Sequence, residues 1–240
     1  MQFSYLVTFT HPDPSARISD SDLQRISASI QATPAMSRAR LYTPQSAKDY
    51  YTDDGPSPIF AFQLDFEKLA HLEAAIAADG HLQSIAREDF PSLESCVVEQ
   101  QVMARRPYPV LDPQPRVAEG ELPCQFLVHY PGRAENLDEW LSYYLTHHPQ
   151  IMKFFDGVRE IEIFTRVDWI DAMPWTRVHY MQRNKLMFDS AEAITEAMNS
   201  PVRHQMRADF EQFPPFEGSN IHHPMSARTF FGEAGQAASD

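Results

Sequence analysis

The order of predicted elements repeats once along the chain, and this repetition constrains the fold more than any other feature. Each half predicts strand, helix, strand, strand, helix, strand, from short β-branched or aromatic runs and from apolar residues three or four positions apart. Short residue pairs recur in the same order in both halves: His11-Pro12 with Tyr130-Pro131, Tyr42-Thr43 with Phe164-Thr165, Leu64-Asp65 with Phe188-Asp189, Asp89-Phe90 with Asp209-Phe210, and Ala104-Arg105 with Ala227-Arg228. We therefore expect a tandem duplication.

A β-α-β-β-α-β order predicts a four-stranded antiparallel sheet with its helices on one face, which is the ferredoxin-like arrangement. Two such units in one chain can pack their bare sheet faces against each other as a barrel, so the expected fold class is α+β. The expected boundaries are an N-terminal unit at 1–106, a linker at 107–123, a C-terminal unit at 124–231 and a disordered tail at 232–240. The linker is predicted to be extended because it contains five prolines.

Capping residues indicate where several helices begin. Ser19 is followed three residues later by Asp22, and Asn136 by Glu139. Such pairs are typical of a helix N-terminus, where the side chain of the first residue accepts a backbone hydrogen bond. Asp189 is expected to cap the next helix in the second half.

Composition excludes several classes of protein. A net charge of −13 argues against binding nucleic acid or anionic membranes, and no apolar run reaches the roughly 18 residues of a membrane span. Glycine motifs for dinucleotides or nucleoside triphosphates are missing, so no cofactor is expected. Cys96 and Cys124 have no disulfide or metal-ligand spacing. We expect a cytoplasmic protein with no disulfide.

One helix of the second half carries a distinctive aromatic and histidine pattern, formed by Trp140, Tyr143, Tyr144, His147 and His148 and followed by Pro149. With the strand at 127–133, this pattern resembles the EthD-like branch of the dimeric α/β-barrel superfamily, in which the proline usually stands one residue further on. The first half has Ala32-Thr33-Pro34 at the corresponding place. The first half is therefore expected to be the degenerate copy.

The resemblance implies a cleft between sheet and helices that binds a small molecule. Relatives include muconolactone-type isomerases, polyketide cyclases and cofactor-free oxygenases. Many act on aromatic, quinonoid or unsaturated acid substrates, and several use a histidine as acid or base without a metal or an organic cofactor.

Four residues are candidates for catalysis: His129, His147, His148 and Tyr144. His129 ends a strand and is expected on the opposite face from Tyr130. His147 and His148 are expected at the end of their helix, about 100° apart, so that one of them faces the cleft. A histidine titrates near neutral pH and suits proton transfer, and a tyrosine can stabilise an oxyanion. The alternatives are a helix-capping histidine pair, a hydrogen-bonded core histidine and simple aromatic packing.

Seven further residues are expected to contact the substrate, with the arginines as candidates for binding a carboxylate: Tyr130, Arg133, Tyr143, Arg166, Trp175, His179 and Arg183. Surface positions are the alternative for each arginine. The pairs His147-His148 and His222-His223 do not predict a metal site, because adjacent side chains diverge and cannot chelate one ion.

The sequence thus predicts an isomerase or lyase that moves a proton, by cis–trans or keto–enol isomerisation, in a small unsaturated, carboxylated product of aromatic catabolism. Within the same fold, the alternatives are a cofactor-free oxygenase or a polyketide-type cyclase. From another class, the alternative is a non-catalytic protein that binds a small ligand or haem. The chain is expected to be a monomer with an internal pseudo-dimer, or a homodimer.

Overall fold

The computed structural model describes residues 1–232 and contains nine strands and six helices within them. The first half contains β1 (Gln2–Thr10), α1 (Asp20–Gln31), β2 (Met36–Pro44), β3 (Phe60–Phe66), α2 (Leu69–Ile76), α3 (Gln83–Arg87), a short 3-10 helix (Pro91–Leu93) and β4 (Val97–Tyr108). The second half contains β5 (Cys124–Tyr130), α4 (Leu137–Met152), β6 (Glu160–Arg166), β7 (Thr176–Arg177), β8 (Gln182–Phe188), α5 (Ala191–Met198), α6 (Pro201–Phe210) and β9 (Ile221–Phe231).

Eight of the strands form a closed antiparallel barrel. Their order is β1-β3-β2-β9-β5-β8-β6-β4, and β4 returns to pair with β1. The two halves meet along two seams, where β2 pairs with β9 and β4 pairs with β6. The expected α+β class with a barrel is therefore confirmed. The two halves are joined by hydrogen bonds between their edge strands as well as by the packing of their inner sheet faces.

Along each strand, the side chains point alternately to the outside and to the interior of the barrel. In β1, Tyr5, Val7 and Phe9 pack outwards in the core that contains the helix residues Ile26 and Leu72, as a period of two requires. A second core lies between the other sheet and α4, α5 and α6. Each half therefore carries its helices on the outer face of the barrel.

The barrel interior at one end is filled by charged side chains from both halves: Arg38, Arg40, Arg105 and Lys185 with Asp65, Glu160 and Glu162. Arg40 Nη2 lies 2.6 Å from Glu160 Oε2 across the two halves. Burial would raise the pKa of Glu162, but Lys185 and the neighbouring arginines outweigh it and hold that pKa well below its usual value. Burial lowers the pKa of Lys185 to about 8. The halves are thus joined by a buried ion network.

The histidine pair does not end its helix, contrary to expectation. Helix α4 continues through Pro149 to Met152. A proline removes one helical N–H and leaves the carbonyl four residues earlier without its donor. Here the hydroxyl of Tyr108 donates to that carbonyl, of Leu145, at 3.0 Å, so the helix can continue.

Two boundaries also differ from expectation. Strand β4 runs beyond the predicted unit boundary at 106, since Pro107 and Tyr108 pair with β6, and only 109–123 lacks helix and strand. Ser190, not Asp189, caps α5, because Asp189 accepts hydrogen bonds from the Arg159 guanidinium at 2.7 and 3.0 Å. Of the expected tail at 232–240, residues 233–240 lie outside the described residues. Ser19 and Asn136 cap their helices as predicted.

None of the described helices combines the length and the apolar character that crossing a membrane would require.

Candidate active site

A cavity lies between the outer face of β5, β8 and β9 and the helices that cover it. Its apolar wall consists of Phe126, Val128, Met152, Phe155, Leu186, Met198, Met206 and Phe210. Its polar lining consists of Thr52, Tyr130, His148, Asn184, Arg203, Arg207, Asn220 and His222. An apolar pocket with a few convergent polar groups is the usual form of a small-molecule site.

His148 enters this cavity from α4 and is held by a carboxylate. Its Nδ1 lies 2.6 Å from Asp209 Oδ2, and the Tyr143 hydroxyl donates to the other oxygen of Asp209 at 3.0 Å. Because the carboxylate accepts the Nδ1 proton, the lone pair of a neutral ring is on Nε2. No hydrogen bond among the described residues occupies Nε2, so this nitrogen is free to act on a ligand in the cavity.

Burial keeps His148 neutral at neutral pH. It lowers the pKa of His148 below its usual value, and Asp209 only partly offsets this effect. Burial would raise the pKa of Asp209, but the hydrogen bond and charge of His148 outweigh it, so the pKa of Asp209 is lowered. At pH 7 the pair is therefore an imidazole beside a carboxylate, the form that accepts a proton.

A second histidine–carboxylate pair faces the same cavity. His222 Nδ1 lies 2.6 Å from Asp54 Oδ2, and its ring stacks on Phe126. Asn220 Nδ2 lies 3.3 Å from His222 Nε2 and 3.5 Å from the Tyr130 hydroxyl. Asp54 lies 168 residues from His222 in the sequence, and no local sequence pattern joins them.

The loop between β2 and β3 brings first-half residues to this second-half site. Besides Asp54, Asp49 pairs with Arg203 of α6 at 2.9 Å, and the Tyr51 hydroxyl lies 2.6 Å from His204 Nδ1. The loop therefore closes one side of the cavity. The first half does more than cover the sheet of the second.

Second-half side chains pack on the outer face of the first-half sheet. Trp169, Met173 and Trp175 come from the loop between β6 and β8 and join the first-half core. The Trp175 ring packs against Phe9 with centroids 5.7 Å apart. Each half thus sends the corresponding loop over the other half, and the polar cavity described above lies on the second-half face.

The cavity brings together part of the predicted site. His148 and Tyr130 line it, and Tyr143 contacts it through Asp209. Tyr144 is fully buried behind the lining, stacked on Trp140, with its hydroxyl 2.6 Å from Asn184 Nδ2. It therefore supports the site and does not face it.

The other predicted residues lie elsewhere. His129 and Arg183 point into the barrel interior, on the opposite face from Tyr130 as alternation predicts. Trp175 belongs to the first-half core. His147, Arg133, Arg166 and His179 are exposed, and the His147 ring stacks on Tyr143. Sequence reasoning missed His222, Asp209, Asp54, Arg203, Arg207 and Asn220.

Across residues 1–232, no group of three or more His, Cys, Asp or Glu side chains is arranged to hold a metal ion.

The sequence matches no family model and no curated protein. Several solved structures share its architecture. An anthrone oxidase-like protein is 10% identical with a TM-score of 0.63, over 98% of this chain and 94% of that chain. A protein from Fusobacterium nucleatum, provisionally assigned as a monooxygenase, is 5% identical with a TM-score of 0.58, over 96% and 94%.

A similarly assigned protein from Lactobacillus acidophilus is 7% identical with a TM-score of 0.54, over 96% of both chains. At these identities the likeness concerns the fold. In this chain that fold is a closed antiparallel barrel with helices on its outer face.

Proposed function

We propose that the cavity is the active site of an oxygenase-type enzyme, in which His148 removes a proton from a small aromatic, enolisable substrate. The observation that carries this proposal is the His148–Asp209 pair, with Nδ1 held at 2.6 Å and Nε2 free towards an apolar cavity. A neutral imidazole that a carboxylate holds in one orientation is a suitable general base.

The lining suggests the substrate class. Phe126, Phe155 and Phe210, together with three methionines, form walls that suit a flat ring system. Arg207 lines the same cavity and is half-exposed, with its guanidinium near Glu211 at 2.9 Å. An arginine in this position could exchange its surface partner for a substrate carboxylate. A polycyclic phenol or anthrone-like ketone, with or without a carboxylate, fits these features.

The chemistry needs only the substrate and dioxygen. His148 Nε2 takes a proton from a CH₂ group conjugated to a carbonyl, which leaves an enolate. Burial raises the pKa of Tyr130, so its hydroxyl stays protonated and can donate to the developing oxyanion. The enolate reduces O₂ and forms a carbon–oxygen bond. Loss of water from the resulting hydroperoxide converts CH₂ and O₂ to C=O and H₂O, with the electrons drawn from the substrate.

The isomerase expected from the sequence shares the first of these steps. The two reactions differ in whether the enolate is reprotonated at another carbon or reacts with O₂. The fold shared with an oxidase-like protein and with proteins provisionally assigned as monooxygenases favours the second outcome. The proposed reaction therefore begins with the same proton abstraction as an isomerisation, but the carbanion then reacts with O₂.

The test is oxygen uptake with anthrone and carboxylated hydroxyanthrones, corrected for uptake without protein. We expect the wild type to consume one O₂ per quinone formed, and His148→Gln to lose roughly 100-fold or more in kcat. His147→Gln is the matched control, because that exposed neighbour should leave turnover unchanged. Isomerised product without oxygen uptake, equal turnover by His148→Gln, or a Soret band on the purified protein would contradict the proposal.

We also infer that the halves 1–106 and 124–231 are duplicated ferredoxin-like units, the second of EthD-like type. Within each half the first and third strands are central, in the orders β4-β1-β3-β2 and β9-β5-β8-β6, which supports this inference. The eight barrel strands close within one chain, so none of them needs a partner chain to complete its pairing. Light scattering should then give the mass of a monomer, and a stable dimer would show that the protein associates through another surface.

A further inference from the structure

The barrel interior is open at the end opposite the buried ion network. One small space lies deep in the barrel beside Leu6, Leu127 and Phe164. A second lies at the mouth beside Thr10, Tyr180 and His223. Thr8, His129 and Arg183 line both spaces. We call the region around these three residues the lumen site.

The lumen site contains a buried cation without a counter-ion. Arg183 is only 3% exposed. Its Nε donates to Gln101 Oε1 at 3.2 Å, and its guanidinium lies 4.5 Å from the centre of the Tyr180 ring. Among residues 1–232, no carboxylate lies within ion-pair distance of Arg183, and neither terminal nitrogen donates a hydrogen bond. A buried charge is costly unless it is paired.

The carboxylate nearest to Arg183 already accepts a hydrogen bond from another side chain. Glu99 lies at the mouth and accepts a hydrogen bond from the Tyr180 hydroxyl at 3.0 Å. By contrast, Arg38, Arg40 and Arg105 at the other end of the barrel all contact acidic side chains. Arg183 therefore differs from the other buried arginines of the barrel interior.

Two histidines beside Arg183 also have unused polar atoms. Nδ1 of His129 and Nδ1 of His223 are both buried without a hydrogen-bond partner, and the two ring centres lie 5.4 Å apart. Burial holds the pKa of His129 well below its usual value and lowers that of His223 to about 4. Each neutral imidazole still has one N–H to donate.

We propose that the lumen site binds a small carboxylate, held by the terminal nitrogens of Arg183 and by the imidazoles of His129 and His223. The guanidinium fork matches two carboxylate oxygens, and Leu6, Leu127 and Phe164 line the deeper space with apolar side chains. This site is separate from the proposed active site, because Val128, Tyr130 and His222 face the opposite side of the same strands. It does not depend on the proposed function.

The experiment measures thermal stability in sodium butyrate against sodium chloride at equal ionic strength. A ligand that binds only the folded state raises Tm with its concentration. We expect a saturable rise for the wild type and its loss in Arg183→Gln. Arg207→Gln, the same substitution at the arginine of the outer cavity, should keep the rise. No rise in the wild type, or a rise lost in Arg207→Gln and kept in Arg183→Gln, would overturn the proposal.

A second measurement needs no variant at Arg183 and applies even if that variant does not fold. Imidazole NMR signals of the wild type are followed during a butyrate titration. Saturable shifts of His129 and His223, with His147 and His179 unmoved, support the lumen site. Shifts confined to His148 and His222, or no saturable shift, would place the anion elsewhere or exclude it.

Discussion

Replacing Asp209 by asparagine should disable His148 without moving it. The carboxylate accepts hydrogen bonds from His148 Nδ1 at 2.6 Å and from the Tyr143 hydroxyl at 3.0 Å. In the variant, the amide oxygen can still accept from Tyr143, which turns the amide NH₂ towards His148. Nδ1 must then accept, and the ring proton moves to Nε2, the nitrogen proposed to act as base.

The expected fall in kcat follows from the free energy of the hydrogen bond that His148 loses. A hydrogen bond to a charged group contributes about 1.5–3 kcal/mol, and about 1.4 kcal/mol corresponds to a factor of ten. We therefore expect kcat to fall by about 10- to 150-fold. Tyr143→Phe removes a bond to the same carboxylate but leaves its charge, so its loss should stay below about 10-fold.

The pH profile separates this mechanism from simple damage. Activity requires neutral His148, so it falls as pH drops through the pKa of that residue, which burial places below 6.5. Asp209 raises this pKa, so in Asp209→Asn the acid limb should move to lower pH while the plateau falls. The assay is kcat/KM for oxygen uptake between pH 4.5 and 8, a range of about four units around the usual histidine pKa. Turnover within twofold of wild type, or a larger loss in Tyr143→Phe, would refute the reasoning.

Three other outcomes are expected. Asp54→Asn should reduce kcat/KM about 10-fold, because the loop carboxylate holds His222; unchanged kinetics would remove the first half from the site. Glu162→Gln should lower the free energy of unfolding in urea by about 3–5 kcal/mol, since it leaves buried cations unpaired; a loss under 1 kcal/mol would contradict the ion network. The pKa of His223 is lowered to about 4, so the unfolded state binds its proton first as pH falls below 6.5. Stability should therefore drop by about 2 kcal/mol between pH 6.5 and 5, and His223→Asn should reduce that drop.

The sequence predicted the strands and helices well where one periodicity dominates. In α1, for example, the helix begins at the cap predicted at Ser19. The sequence also contains the pattern needed to choose His148 over His147 as the residue that faces the cavity. Trp140, Tyr144 and His148 are spaced by four and share one buried face, so the second histidine follows the buried aromatics.

Other features depend on contacts between distant segments. Asp54 and His222 meet because a first-half loop crosses a seam of the barrel, and Trp175 enters the first-half core for the same reason. No short stretch of the sequence indicates that these loops cross a seam of the barrel. The buried ion network was missed because a charge in a strand, such as Glu162, usually indicates a solvent-facing residue. Only closure of the barrel makes that face interior.

The most direct test of the account is hydrogen exchange into the substrate under anaerobic conditions. Without O₂, the enolate formed by proton abstraction can only be reprotonated, so NMR in D₂O measures that step alone. We expect the wild type and His147→Gln to catalyse deuterium incorporation at the reactive carbon of anthrone above the buffer rate, and His148→Gln to show only the buffer rate. Equal exchange by His148→Gln and the wild type would contradict the assignment of His148 as the base.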